Sequence, residues 1–139
     1  MKTYWDASAV INAAVSGEVM ARLATGEHFT RLHTLSEFFA TMTGRGVKVL
    51  HESGEAAVMV FTPNQCAAWL RRFADRVEIV DLEKADVLAA LDKAQSRSIQ
   101  GGRIYDYLHA LAASKAKADE LLTRNTDDFK SLSNKLSWP

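Results

Sequence analysis

The sequence predicts an α/β domain in which a central, mainly parallel sheet is covered on both faces by helices. Segments of strand composition alternate with segments of helical periodicity along the chain, which is the pattern of strands joined by crossover helices. Glycine, proline and capping residues punctuate the boundaries between them. The 139 residues are 47% apolar, enough to build one core. No linker, internal repeat or low-complexity stretch divides the chain, so a single domain over residues 1–139 is expected.

The elements follow in order. Lys2-Thr3-Tyr4-Trp5 is strand-favouring and runs into Asp6-Ala7-Ser8, after which residues 9–15 read as a helix. Gly17 and Gly26 bracket a second helical stretch over residues 18–25. Residues 27–33 alternate in part and form a second strand. A helix over residues 34–44 follows, with Thr34 and Glu37 spaced as a capping box and Leu35, Phe38, Phe39 and Met42 on one face. Residues 47–50 and 57–61 flank a turn-like segment and predict a β-hairpin appended to the main sheet. Thr62-Pro63 starts a helix that runs to about residue 75, with Thr as cap and Pro in the first turn. Residues 77–82 alternate as a strand, and Val87, Leu88, Leu91 and Ala94 give residues 84–96 a helical face. A Gly101-Gly102 loop leads into a helix over residues 103–113, then a strand over residues 118–123, a polar turn over residues 124–129 and an edge strand in residues 135–139.

Composition narrows the functional classes. Lys and Arg total 17 and so do Asp and Glu, so a nucleic-acid partner must be met by a local patch rather than by net charge. The densest basic group is Arg71, Arg72 and Arg76, read either as a solvated helix face or as RNA-phosphate contacts. The single cysteine, Cys66, excludes an internal disulfide and lies in an apparent helix as core material. With no long apolar run the expectation is a soluble, cytoplasmic protein without a membrane partner.

Chemistry enters through the acids. Asp6 stands where a strand gives way to a helix, at the carboxyl edge where open α/β sheets bind ligands; taken alone, Asp6 or Ser8 reads first as a cap of that helix. Glu37, Asp106 and Asn125 occupy corresponding strand-to-helix or helix-entry positions. Three carboxylates and an amide gathered on one edge would repel unless a cation sat between them. Hard oxygen donors favour Mg²⁺ or Mn²⁺, whose chemistry on a phosphodiester is hydrolysis. His28, His33, His51 and His109 read as structural histidines, although His109 lies one helical turn from Asp106. Phe38-Phe39 and Tyr105-Tyr107 read as core or interface aromatics, with base stacking a lesser role.

Four segments in order, Trp5-Asp6-Ala7-Ser8, Ser36-Glu37-Phe38, Gly101-Gly102-Arg103-Ile104-Tyr105-Asp106 and Leu122-Thr123-Arg124-Asn125-Thr126-Asp127-Asp128-Phe129, resemble the PIN-domain ribonucleases. That family includes the VapC-type toxins of bacterial toxin–antitoxin pairs, and the resemblance spans nearly the whole chain. It implies a three-layer PIN-like fold and a metal-dependent endoribonuclease, with an RNA substrate, an antitoxin partner and a homodimer. It makes Asp6 and Asp106 the principal ligands of Mg²⁺ or Mn²⁺ and Glu37 a ligand or the holder of a metal-bound water, with Asn125 completing the catalytic group. Ser8, Thr123 and Asp128 take supporting positions. Asn125 stands where the family often has Asp, which weakens a second metal position, and the hairpin between residues 47 and 61 looks like an insertion. The alternative is a PIN-like RNA-binding or protein-interaction module with little nuclease activity.

Overall fold

In the computed structural model, which describes residues 1–138, the chain forms a three-layer α/β/α domain. Five strands, β1 (Lys2–Trp5), β2 (Glu27–Thr30), β5 (Glu78–Ile79), β6 (Glu120–Leu122) and β7 (Leu136–Ser137), make a wholly parallel sheet in the order β5-β2-β1-β6-β7. The edge strands are two residues each, while Thr3, Tyr4 and Trp5 of the central strand are all buried, as a parallel strand covered on both faces requires.

Tyr4 and Trp5 project to opposite faces and seed the two halves of the core. Trp5 packs with Ala9, Val10 and Ala13 of α1 (Ala7–Val15), Phe38 and Met42 of α2 (Leu32–Thr43), and Cys66 and Phe73 of α3 (Pro63–Ala74). Tyr4 packs with Phe29, with Ala110, Ala112 and Ala113 of α5 (Arg103–Lys115), and with Phe129 of α6 (Thr126–Phe129). Short alanines on α5 let that helix lie close to the sheet. A third cluster, around Ala90 of α4 (Lys84–Lys93), joins Ile99, Tyr107 and Leu108. Each fully buried Phe or Met in these clusters contributes about 1.5–3 kcal/mol relative to exposure.

Several boundaries differ from the sequence reading. Residues 18–25 hold only a short 3₁₀ turn, Met20–Ala24, which buries none of its residues and so gains no tertiary support for a full helix. β2 ends at Thr30 and α2 begins at Leu32, two residues before the expected Thr34 cap. The capping box is therefore absent: Thr34 lies buried in the first turn, and the N-cap position is Arg31, which makes no side-chain cap bond. The strand expected over residues 77–82 keeps only two ladder residues, and α4 closes at Lys93. The turn expected over residues 124–129 contains the helical turn α6.

The hairpin forms, but as β3 (Val47–Leu50) and β4 (Ala56–Met59) in a two-stranded antiparallel sheet separate from the main one. It is fastened to α2 instead, where Phe61 N donates to Met42 O at 2.7 Å and Gly46 N to Thr41 O at 2.8 Å. Gly46, at φ 67°, admits no side chain, because a Cβ there would strike the carbonyl of Met59 across the hairpin. Thr62 and Gln65 form the capping box of α3 with Pro63 in its first turn, as the sequence predicts. The edge strand at the chain end is β7, with Pro139 outside the described residues. No helix among the described residues is long and apolar enough to cross a membrane.

Candidate functional site

The strand order fixes where a site can form. From β1 the chain moves by α1 to β2 and on to β5 on one side, then returns by α5 to β6 on the other. The strand order thus reverses between β1 and β6, and a crevice opens at their carboxyl ends. Asp6 follows β1 and Thr123 follows β6, so the two face each other across that crevice.

Asp6 is 3% exposed and is both N-cap and site residue. Its Oδ1 accepts from the Ala9 amide at 2.9 Å and the Ser8 hydroxyl at 2.7 Å, and its Oδ2 from the Thr123 hydroxyl at 2.6 Å. Ser8 Oγ in turn accepts from Arg124 N at 2.9 Å, and Thr123 Oγ1 from Asn125 N at 3.0 Å. This ring of bonds clamps the segment after β6 onto the turn after β1. Burial raises the Asp6 carboxyl above its ordinary range, against the opposing effects of His109 and of the donors Thr123, Ser8 and Ala9.

Asp106, in the first turn of α5, is half-buried. Burial raises its carboxyl too, and the charges of Asp128 and then Asp6 add to the rise, while His109 and Arg103 oppose it. The three aspartates thus share one electrostatic neighbourhood.

Glu37 is turned differently. Its Oε1 lies 3.0 Å from His109 Nε2 and 3.3 Å from His33 Nε2. Burial works to raise this carboxyl, but the hydrogen bond and charge of His109, then His33 and Arg31, outweigh it and hold it below its ordinary range. The acids are therefore not left without cationic neighbours as their own motifs suggested. His109 is 2% exposed, and its Nδ1 lies 2.8 Å from the Tyr4 hydroxyl, which burial keeps protonated. An ionised carboxylate only accepts, so Nε2 donates to Glu37, while Nδ1 pairs with the Tyr4 hydroxyl. A hydrogen-bonded chain thus runs from the core, through His109, to Glu37. The sequence reads this histidine, one turn after Asp106, as structural, and the fold seats it buried between Tyr4 and Glu37.

Ser8, Glu37 and Asn125 line one cleft of about 310 Å³ with Asn12, Arg45, Lys48 and Arg124. Asn125 is exposed and Asp128 sits in the short turn of α6 that follows it. Arg72 and Arg76 line a different cleft, with Met20, Leu23, Trp69 and Phe73, and no acidic site residue lines it. Arg71 is exposed on α3. Cys66 is buried and free.

Among the described residues, no three His, Cys, Asp or Glu side chains stand close enough together to ligate one ion. Asp6 and Asp106 offer carboxylate oxygens, the donor type a hard cation takes, and burial raises both carboxyls; Asp6 Oδ2 accepts one hydrogen bond, from Thr123. No protein-family model matches the chain, and no curated protein matches it.

Proposed function

We propose that this chain is a metal-dependent endoribonuclease that hydrolyses RNA phosphodiester bonds, acting as the toxin of a toxin–antitoxin pair and built as a PIN-like domain. The observation that carries the reading is Asp106, whose carboxyl is raised by burial and by the charges of Asp128 and Asp6 at the crevice where strand order reverses. His109 and Arg103 offset only part of this rise, and a divalent cation would remove the remainder.

Asp6 and Asp106 would hold Mg²⁺ or Mn²⁺, with Glu37 directed by His109 toward a ligand or a coordinated water. Such an ion lowers the pKa of a bound water and stabilises charge on phosphoryl oxygens. The protein's own part is preorganisation. Ser8, Thr123 and the Ala9 amide fix the Asp6 carboxylate, and the Tyr4–His109 chain fixes Glu37, so that neither reorients when charge develops. Asn125, next to this group, offers an amide and a weaker hold on a second ion. Exposed Leu88 and Leu91 on α4 support association with a second copy or an antitoxin. A cytoplasmic location belongs to the same proposal and is compatible with the free, buried Cys66.

The alternative, an RNA-binding or protein-interaction module without turnover, is favoured by Asn125 and by the engagement of Glu37 with His109. One assay separates the two. The purified protein is expected to cut RNA with Mg²⁺ or Mn²⁺, to stop with chelator, and to lose activity in Asp6→Asn and Asp106→Asn; RNA left intact with every metal supports the binding module.

A further inference from the structure

The cleft between α1, α2, the hairpin and the segment after β6 has a composition that the acidic crevice does not account for. Three cations line it, Arg45 and Lys48 at the entry to the hairpin and Arg124 after β6, and all three are exposed. None of the ion pairs among the described residues includes them. They stand around Ser8, Glu37 and Asn125, so the cleft runs directly into the acidic group.

Its wall also contains an orphan acceptor. Asn12, on α1, is 3% exposed, and its Nδ2 donates to Glu18 Oε2 at 3.0 Å. A carboxylate accepts only, so the other atom of the amide is the oxygen, and that oxygen has no hydrogen-bond partner among the described residues. A buried acceptor without a donor costs about 1–3 kcal/mol, and because this oxygen is sealed from solvent it offers a ligand in the cleft no contact.

We infer that this cleft is the seat of a single-stranded RNA segment flanking the acidic crevice, whose phosphates Arg45, Lys48 and Arg124 take. The hairpin is then the outer wall of a nucleic-acid groove, and Gly46, which sets its entry, places Arg45 and Lys48 on the same rim. At about 310 Å³ the cleft lies at the small end of ligand sites, which suits one strand rather than a duplex. The inference rests on the ribonuclease reading for its choice of RNA, but it concerns binding and is tested without turnover.

The probe is a fluorescein-labelled eight-nucleotide RNA of mixed sequence, with the all-DNA version beside it, titrated by polarisation in chelator at several salt concentrations. Arg45→Gln, Lys48→Gln and Arg124→Gln are expected each to weaken RNA binding about 3- to 10-fold and to reduce the slope of log K against log salt by about 0.7, one phosphate contact on a single strand. Lys93→Gln, on α4, is expected to change neither. The all-DNA strand is expected to show the same dependence on the three cations, since phosphates are what they contact. Because the three cations are exposed, their variants are expected to fold and so decide the matter. Unchanged affinity and slope in all three overturns the inference. So does displacement of the probe by a poly-glutamate peptide that itself binds more tightly than RNA, which assigns the groove to an acidic protein partner. Binding with these dependences but no cleavage under Mg²⁺ or Mn²⁺ overturns the nuclease reading and leaves the groove standing; cleavage by the three cation variants at wild-type KM overturns the groove alone.

Discussion

Thr123 donates its hydroxyl proton to Asp6 across 2.6 Å, although 117 positions separate the two residues in the chain. Both are buried, and the bond joins the carboxyl ends of β1 and β6 at the point where the strand order reverses. The first prediction follows from it. Thr123→Val keeps the shape and removes the hydroxyl, leaving Asp6 Oδ2 and the Asn125 amide without their partner. Urea denaturation is expected to show a loss of about 1–3 kcal/mol at unchanged m-value, accompanied by loss of any metal-dependent cleavage. Stability equal to wild type would show that the bond does not hold the crevice together.

Asp106→Asn should separate stability from activity. The folded-state carboxyl is raised, so the native protein binds more protons than the unfolded chain between the unfolded and folded values. The stability this group contributes is fully present below the unfolded value and is lost as pH rises through the folded one. At neutral pH the amide therefore relieves a penalty. Because the side chain is only half-buried, solvent screening keeps the gain below about 1 kcal/mol, or about 3 °C in Tm for a domain of this size. The expected result of melting scans from pH 4 to 7 is a variant that overtakes wild type as pH rises and has no nuclease activity.

His28 gives an opposite pH dependence on the far side of the site. Trp5 Nε1 donates to its Nδ1 at 3.1 Å and its Nε2 bonds Thr25 O at 2.9 Å, an arrangement that only the neutral ring satisfies. Burial lowers its pKa, with Arg22 and the chain's amino group adding to the shift. The unfolded chain then takes up the proton first as pH falls, so stability is present above the unfolded value near 6.5 and declines as pH drops toward the lowered folded one. Chemical denaturation at pH 7.5, 6.5 and 5.5 should record the decline, and His28→Gln, destabilised at every pH, should flatten it. A wild-type profile parallel to that of the variant over this range would count against the neutral ring.

The Tyr4–His109 chain predicts a shift at Glu37. With His109→Phe, the hydrogen bond and charge that hold this carboxyl down are gone, and burial alone is left to act on it alongside His33 and Arg31. Titration of the Glu37 side-chain carbon by NMR is expected to move to higher pH than in wild type. Tyr4→Phe leaves His109 Nε2 on Glu37 and is expected to move it less, while costing about 1 kcal/mol for the unpaired imidazole nitrogen.

How far the sequence foretold this arrangement varies with the range of the forces involved. Thr62-Pro63-Asn64-Gln65 carries its own cap, so α3 begins where local rules place it. The same rules misplaced the start of α2, because Thr34 and Glu37 have capping-box spacing and yet are drawn inward and sideways by tertiary partners: Thr34 into the core, Glu37 to a histidine 72 residues away. Position along the parallel strands was legible, and Asp6 with Thr123 came out facing one crevice. The balance of charge there was not. Neither His109, Arg31 nor the cations of the hairpin belong to the acidic segments, and only the folded chain brings them beside Glu37. Arg72 and Arg76 illustrate the converse: dense in sequence with Arg71, they line a cleft that none of the site acids lines.

Neighbouring side chains on β1 each hold a histidine, Tyr4 on one face of the sheet and Trp5 on the other, and the next residue is Asp6. Adding or deleting a single residue ahead of Asp6 would exchange the two rings between unlike layers and strand both imidazoles at once. Length variation in descendants of this chain should therefore be purged from the opening strand and tolerated at the tip of the hairpin, where Gly54 meets nothing within 4 Å. The four residues of β1 act as a fixed gauge against which the rest of the molecule is free to drift.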